Sequence, residues 1–152
     1  MCTSFMGELL TATHNFGTAP TRGTSAADTF KAALYLTTAT VNASTTAYSA
    51  TNEVSGTNYT AGGVSISGWN APTATNASAT AGTAFTTPTA SITYTNVTLT
   101  TAFDCVLIYN STQSNKAVSV HTFGSQTITA GTFTLTMPTN NTTNALLRLA
   151  TT

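Results

Sequence analysis

Charge is what this chain has least of. Lys, Arg, Asp and Glu make up 5% of its 152 residues and the formal net charge is zero, where an ordinary soluble domain carries about 25% charged residues. The bases are Arg22, Lys31, Lys116 and Arg148, and the acids are Glu8, Asp28, Glu53 and Asp104. They are scattered, so no basic cluster offers a footprint for nucleic acid and no polybasic face suits anionic lipid. Cysteine is almost missing. Cys2 and Cys105 provide neither a disulfide framework nor a zinc-ligand spacing. Cys105, inside "FDCVLIYN", reads as a buried free thiol, and Cys2 reads as a residue near a mobile end. No apolar run approaches the ~18 residues of a membrane-spanning helix. "MCTSFMGELL" lacks the basic start and unbroken apolar stretch of an export signal, so folding in a cytoplasm is expected.

The residue sets of catalysis are also thin. A hydrolase needs a nucleophile, a base and an orienting group. The bases on offer are His14 and His121. Asp104 could approach His121 if their strands pair, but there is no G-x-S-x-G elbow, and Ser and Thr are too abundant to single one out. His121 is better read as an ordinary strand residue. Paired carboxylates would require two of four scattered acids to meet. P-loop, H-E-x-x-H, Cys-pair and EF-hand patterns are lacking, and Glu53 or Asp104 with backbone carbonyls would make at most a weak calcium site. No residue is assigned a catalytic, metal-binding or cofactor-binding role. Several N-x-S/T triplets occur, beginning for example at Asn42, Asn58 and Asn110; they are expected by chance in so Ser/Thr-rich a chain. The Thr positions show no fixed repeat of the kind an ice-binding array needs.

What is present is threonine, about a quarter of the chain, with 41% hydrophobic and 9% aromatic residues. That apolar content is enough to build a core. Thr is β-branched and suits a pleated surface. A chain whose polar face is Thr in place of Lys and Glu reads as all-β. Its neutrality favours self-association.

The pattern along the chain agrees. Residues 4–17, "SFMGELLTATHNFG", read as a short helix or an extended arm carrying Phe5, Leu9 and Leu10. Gly7 weakens that helix, and Gly17 could end it. Residues 18–27 read as a loop. "DTFKAALYL" alternates, with Phe30, Ala32, Leu34 and Leu36 on one face. Residues 37–63 form a long connection anchored by Val41, Tyr48, Val54 and Tyr59. Within it Glu53 is expected to bond nearby backbone amides and hold the loop. Gly62 and Gly63 are expected to supply positive φ or close approach. "GGVSISGW" then delivers Val64 and Ile66 inward and ends at Trp69. Residues 70–90 are low-complexity and read as a surface loop or extended edge. "SITYTNVTLT" changes face at Asn96, which predicts a bulge or tight turn there. "FDCVLIYN" is apolar on both faces, as a central strand would be. "AVSVHTFG" pairs back on it, "QTITAGTFTLTMP" directs Phe133, Leu135 and Met137 inward, and "NALLRLA" places Leu147 and Leu149 on one face. About eight short strands predict one antiparallel β-sandwich or jelly-roll domain over residues 1–152, with residues 1–17 as helix or docking arm.

Three segments in order, "CTSFMGELLTATHNF", "DTFKAALYLTTATVNASTTAYSATNEVSGTNYTAGG" and "VLIYNSTQSNKAVSVHTFG" leading to "LLRLA", resemble a family of small virion structural proteins of tailed bacteriophages, including marine phages and cyanophages. The resemblance spans most of the chain. "TNEVSGTNYTAGG", "LIYN…NKAV" and the opening segment are its most specific parts. It implies a capsid decoration, or cement, protein on the outer surface of the virion, a β-rich homotrimer that binds the major capsid protein and needs no cofactor, nucleic acid or membrane. A neck, tail or fibre component is the alternative in the same class. In such an assembly Phe5, Leu9, Leu10 and Trp69 are the candidate partner contacts.

Overall fold

The computed structural model describes residues 1–10, 12–16, 26–77 and 80–150. The protein is an all-β, antiparallel sandwich of two sheets with one short helix at its start. The helix, α1, spans Thr3–Leu10. The strands are β1 (Phe30–Leu36), β2 (Val64–Ser65), β3 (Thr73–Ala77), β4 (Thr80–Thr86), β5 (Ile92–Asn110), β6 (Lys116–Leu135) and β7 (Leu147–Ala150). One sheet has the order β2-β1-β5-β6, the other β3-β4-β7. The loop expected over residues 18–27 lies largely outside the described residues, as does Gly17.

The strands are fewer and longer than the pattern predicts. β5 and β6 run for 19 and 20 residues, each joining two segments that read as separate strands. Breaks in apolar alternation at 96 and at 124–126 suggest chain ends, but bulges absorb them. The pairing register shifts between Tyr94 and Val97, and repeatedly from Val97 to Cys105. Asn96 has φ 53° and Ala130 has φ 46°, conformations that add local twist. Ile92, Tyr94, Val97 and Leu99 are all buried, so the change of face expected at Asn96 occurs as a bulge.

The bulges bend the β5–β6 hairpin back on itself. Tyr94, near its far end, donates through its hydroxyl to the Ala32 carbonyl on β1 at 2.8 Å. Phe103 meets Phe133 edge-on with centroids 5.1 Å apart. The second half of "SITYTNVTLTTAFDCVLIYN" is the centre of the molecule. β5 lies between β1 and β6, and Cys105, Val106, Leu107, Ile108 and Tyr109 are all at most 4% exposed. β1 is likewise buried on both faces, Ala33 and Tyr35 as well as Ala32 and Leu34, because the 37–63 connection covers the face that alternation leaves to solvent.

Residues 70–90 are structured. Thr/Ala alternation there has enough β propensity to make β3 and β4, and β7 joins them through Thr86↔Leu147 and Ala84↔Leu149. Leu147 enters the core, but Leu149, expected on the same buried face, is 42% exposed. Trp69, which bridges Pro88 just beyond β4, packs edge-on against Phe30 of β1 and so joins the second sheet to the first; within the second sheet, Thr87 Oγ1 accepts from the Leu146 amide at 2.9 Å. No described helix is long and apolar enough to cross a membrane.

Candidate functional site

The candidate surfaces are the two flanks of the four-stranded sheet, the β1 side, where the two-residue β2 pairs only Lys31 and Ala32, and the β6 edge with the groove beside it. The β1 edge is closed, and the closure centres on Glu53. Its Oε2 accepts from the Tyr48 hydroxyl at 2.7 Å. Its Oε1 accepts from the Tyr59 hydroxyl at 2.7 Å and from the Gly62 amide at 2.8 Å. One backbone amide is therefore present, as the turn-rich sequence predicts, and two phenols complete the shell. Tyr59 Oη in turn accepts from the Leu34 amide at 3.0 Å. Tyr109 donates to the Gly62 carbonyl at 2.7 Å, and Tyr35 donates to the Ser49 carbonyl. With Tyr94 on Ala32, all five tyrosines of the chain are bound to this loop or to β1.

Backbone bonds finish the seal. The Val54 amide donates to Leu34 O, Leu36 N to Asn52 O, and Ile66 N to Phe30 O, at 2.9 to 3.0 Å. Gly63 makes the close approach possible. It has φ 71°, and a Cβ there would collide with the Ala32 carbonyl. Burial, reinforced by Glu53, pushes the tyrosine hydroxyls upward, Tyr35 and Tyr109 to about 12 and Tyr48, Tyr59 and Tyr94 further. They remain neutral donors around one carboxylate. The arrangement anchors the loop to β1.

A second polar network fixes α1. Glu8 accepts from Lys116 Nζ and from His14 Nε2, both at 2.7 Å. His14 Nδ1 accepts from Asn110 Nδ2 at 3.1 Å, and the same amide group donates to Asp28 at 2.7 Å. Asn110 Oδ1 accepts from the Thr112 and Gln113 amides. Burial alone would raise the Glu8 carboxyl; hydrogen bonds from Lys116 and His14 outweigh it and hold the group below the usual carboxylate range. Both ring nitrogens of His14 are hydrogen-bonded within this network.

The expected partner contacts are placed differently. Phe5 is 2% exposed and Trp69 8%. Phe5 packs on His14 and Phe16, and Trp69 packs edge-on against Phe16 and Phe30. Both therefore belong to this chain's own core, and neither presents its ring to a partner. α1 is docked on its own body: the Cys2 amide donates to Val118 O and the Thr3 amide to Ala43 O, each at 2.9 Å. Leu9 is half-buried against the core, and the side chain of Leu10 lies outside the described residues. Cys2, expected at a mobile end, is fully buried. Cys2 and Cys105 are both free thiols. Burial raises each of them, Cys105 to about 11 with help from Asp104.

The other edge is β6, and it is open over most of its length. At its start the Ala117 amide donates to Thr46 O, and Val118 O accepts from Cys2. Beyond Val118, no backbone bond closes the outer edge among the described residues. Beside it runs a groove of about 310 Å³ between the two halves of the bent hairpin. Ile108, Phe123, Phe133, Leu135 and Met137 line it, with His121 and Gln126. His121 Nε2 and the Ser119 hydroxyl are hydrogen-bonded at 2.9 Å. Burial, with a smaller contribution from the positive N-terminus, lowers His121 to about 4, so it is neutral at pH 7. Ser119 is fully buried and cannot meet a substrate. Asp104 acts on the Cys105 thiol, whereas His121 bonds to Ser119. Among the described residues no three of His, Cys, Asp and Glu converge as a metal site.

Comparison with family models, with curated proteins and with solved structures finds no match to this chain.

Proposed function

We propose that this chain is a structural protein of a tailed-phage virion, a decoration or cement protein that binds the major capsid protein on the outer surface of the shell in many copies. The observation that carries the reading is how the charged groups are used. Glu8, Asp28, Glu53, Lys116 and His14 are all engaged in bonds that fasten loops and the helix to the sheet. Side chains that would do chemistry elsewhere hold a rigid, nearly uncharged β body together. Such a body suits a part whose work is adhesion. The order of the three segments that resemble small virion proteins gives the destination. Because Phe5 is buried in this chain's own core, on this reading the shell contact lies on exposed sheet surface.

The test is copy number. Particles carrying this chain are purified and the chain is quantified against the major capsid protein by mass spectrometry. Near-stoichiometric abundance is expected. A handful of copies would shift the assignment to neck, tail or fibre, and absence from the particles would overturn the virion reading.

A further inference from the structure

We propose that the outer edge of β6 is where a second copy of this chain binds, β6 pairing antiparallel with β6 about a two-fold axis to make one continuous sheet across both subunits. Edge strands left open are templates for pairing, and proteins blunt them with charges, proline or cover. Bulges also blunt an edge, and β6 carries them in its pairing with β5, but among the described residues it has neither charge, proline nor cover over its open length. Lys116 and Pro138 stand at the two ends, and every residue between them is uncharged and not proline. The fold does cover an edge when one must be closed, as the Glu53 loop does for β1. The contrast marks the β6 edge as reserved for another chain.

The chemistry of the edge selects the occupant. An antiparallel two-fold pairing sets each residue opposite the position reflected through the axis, so a charge near the axis would meet its own copy, and like charges opposite one another destabilise a pair. The exposed polar side chains here are Thr122, Ser125, Gln126, Thr127, Thr129, Thr132 and Thr134. Hydroxyls and amides both donate and accept, so this surface is complementary to its own copy. The chain's zero net charge removes the long-range repulsion that would oppose the encounter. The half-buried Phe123, Phe133 and Leu135 beside the edge supply apolar area that pairing can cover. The inference stands apart from the virion reading, because it concerns the chain with itself.

The test uses the full chain in sedimentation velocity over a range of concentrations, with hydrogen exchange on the same samples. The expected species has twice the chain mass of 15.6 kDa, with slow exchange at β6 amides between residues 119 and 135 that face away from β5. Thr132→Lys with Thr134→Lys should weaken association about tenfold or more and make those amides exchange fast. Thr100→Lys, an exposed position on the inner strand β5, should leave both readouts unchanged. A monomer at all concentrations, a three-fold mass, or a doubled mass that survives the lysine pair would overturn the proposal. If the lysine pair loses its sheet signal in circular dichroism, exchange in the unsubstituted protein decides: fast exchange over 119–135 where the mass is doubled rules the edge out.

Discussion

The two flanks of the four-stranded sheet, the β1 side and the β6 edge, end in opposite states. On β1 the carbonyls of Phe30, Ala32 and Leu34 and the amides of Leu34 and Leu36 all have partners, two of them tyrosine hydroxyls. On β6 the closure stops at Val118. The difference lies in what each edge has next to it in sequence. β1 is followed by a connection that carries a carboxylate, three aromatic anchors or their targets, and two glycines able to pass close to backbone. β6 is preceded by a tight turn at residues 111–115, and the connection that follows it lines the groove through Met137 and Leu146 without a backbone bond to the β6 edge beyond Val118 among the described residues. Closing an edge takes a loop with its own polar core; threonine content alone does not do it.

The largest expected effect breaks the closed edge at its tightest point. Gly63→Ala places a methyl group against the Ala32 carbonyl in a left-handed conformation. It should cost about 4 kcal/mol in urea unfolding, or prevent folding. Glu53→Ala comes next. It leaves the Tyr48 and Tyr59 hydroxyls and the Gly62 amide without their acceptor, a loss of roughly 3 kcal/mol; Glu53→Gln, which keeps one acceptor oxygen, should lose less. A loss below about 1 kcal/mol for Glu53→Ala would mean the loop is held by its backbone bonds alone.

Alkaline pH tests the same edge without mutation. Tyrosines held above their ordinary value contribute stability that is complete below the unfolded value of about 10. That stability is lost as pH rises through the folded values, about 12 for Tyr35 and Tyr109. Unfolding stability should therefore fall from about pH 10 upward, with phenolate absorbance appearing together with unfolding and not before it. On the β6 side, His121 is depressed to about 4, so its contribution is complete above the unfolded value of about 6.5 and disappears as pH falls toward 4. His121→Leu should flatten that acid slope by on the order of 1 to 2 kcal/mol. The smallest effect is expected on the open edge itself: Thr127→Lys should change the stability of the subunit by less than about 0.5 kcal/mol. Equal sensitivity at Thr127 and Glu53 would erase the contrast between the edges.

Much of the fold is legible in the sequence because it is local. The alternation in "DTFKAALYL", the doubly apolar "FDCVLIYN" and the face change at Asn96 are each contained in a few residues, and each forms as read. Glu53 as a loop anchor is legible too, since a lone acid among turn residues has few other uses. What is hidden is long-range. The tyrosines follow no period, and Tyr94 finds Ala32 across 62 residues. Glu8 finds Lys116 across 108. Phe5 and Trp69 look like available anchors because nothing near them in sequence shows Phe16 and Phe30 waiting to receive them. The joining of short strands into β5 and β6 is hidden for another reason: a bulge interrupts alternation in the same way that a strand end does.

The bent hairpin also has a kinetic consequence. Its turn can form early, since the paired residues next to it are close in sequence, but the bend closes only when Tyr94 reaches β1 and the 37–63 connection wraps the far edge. Each of those contacts requires a long stretch of chain to be ordered before it returns any stabilisation. Topologies of this kind fold in milliseconds to seconds, far slower than helical proteins of equal stability. During that interval the uncharged β6 strand is exposed in every copy being made, so dilution at synthesis, and not only final stability, governs how much of the protein reaches its assembled state instead of aggregating.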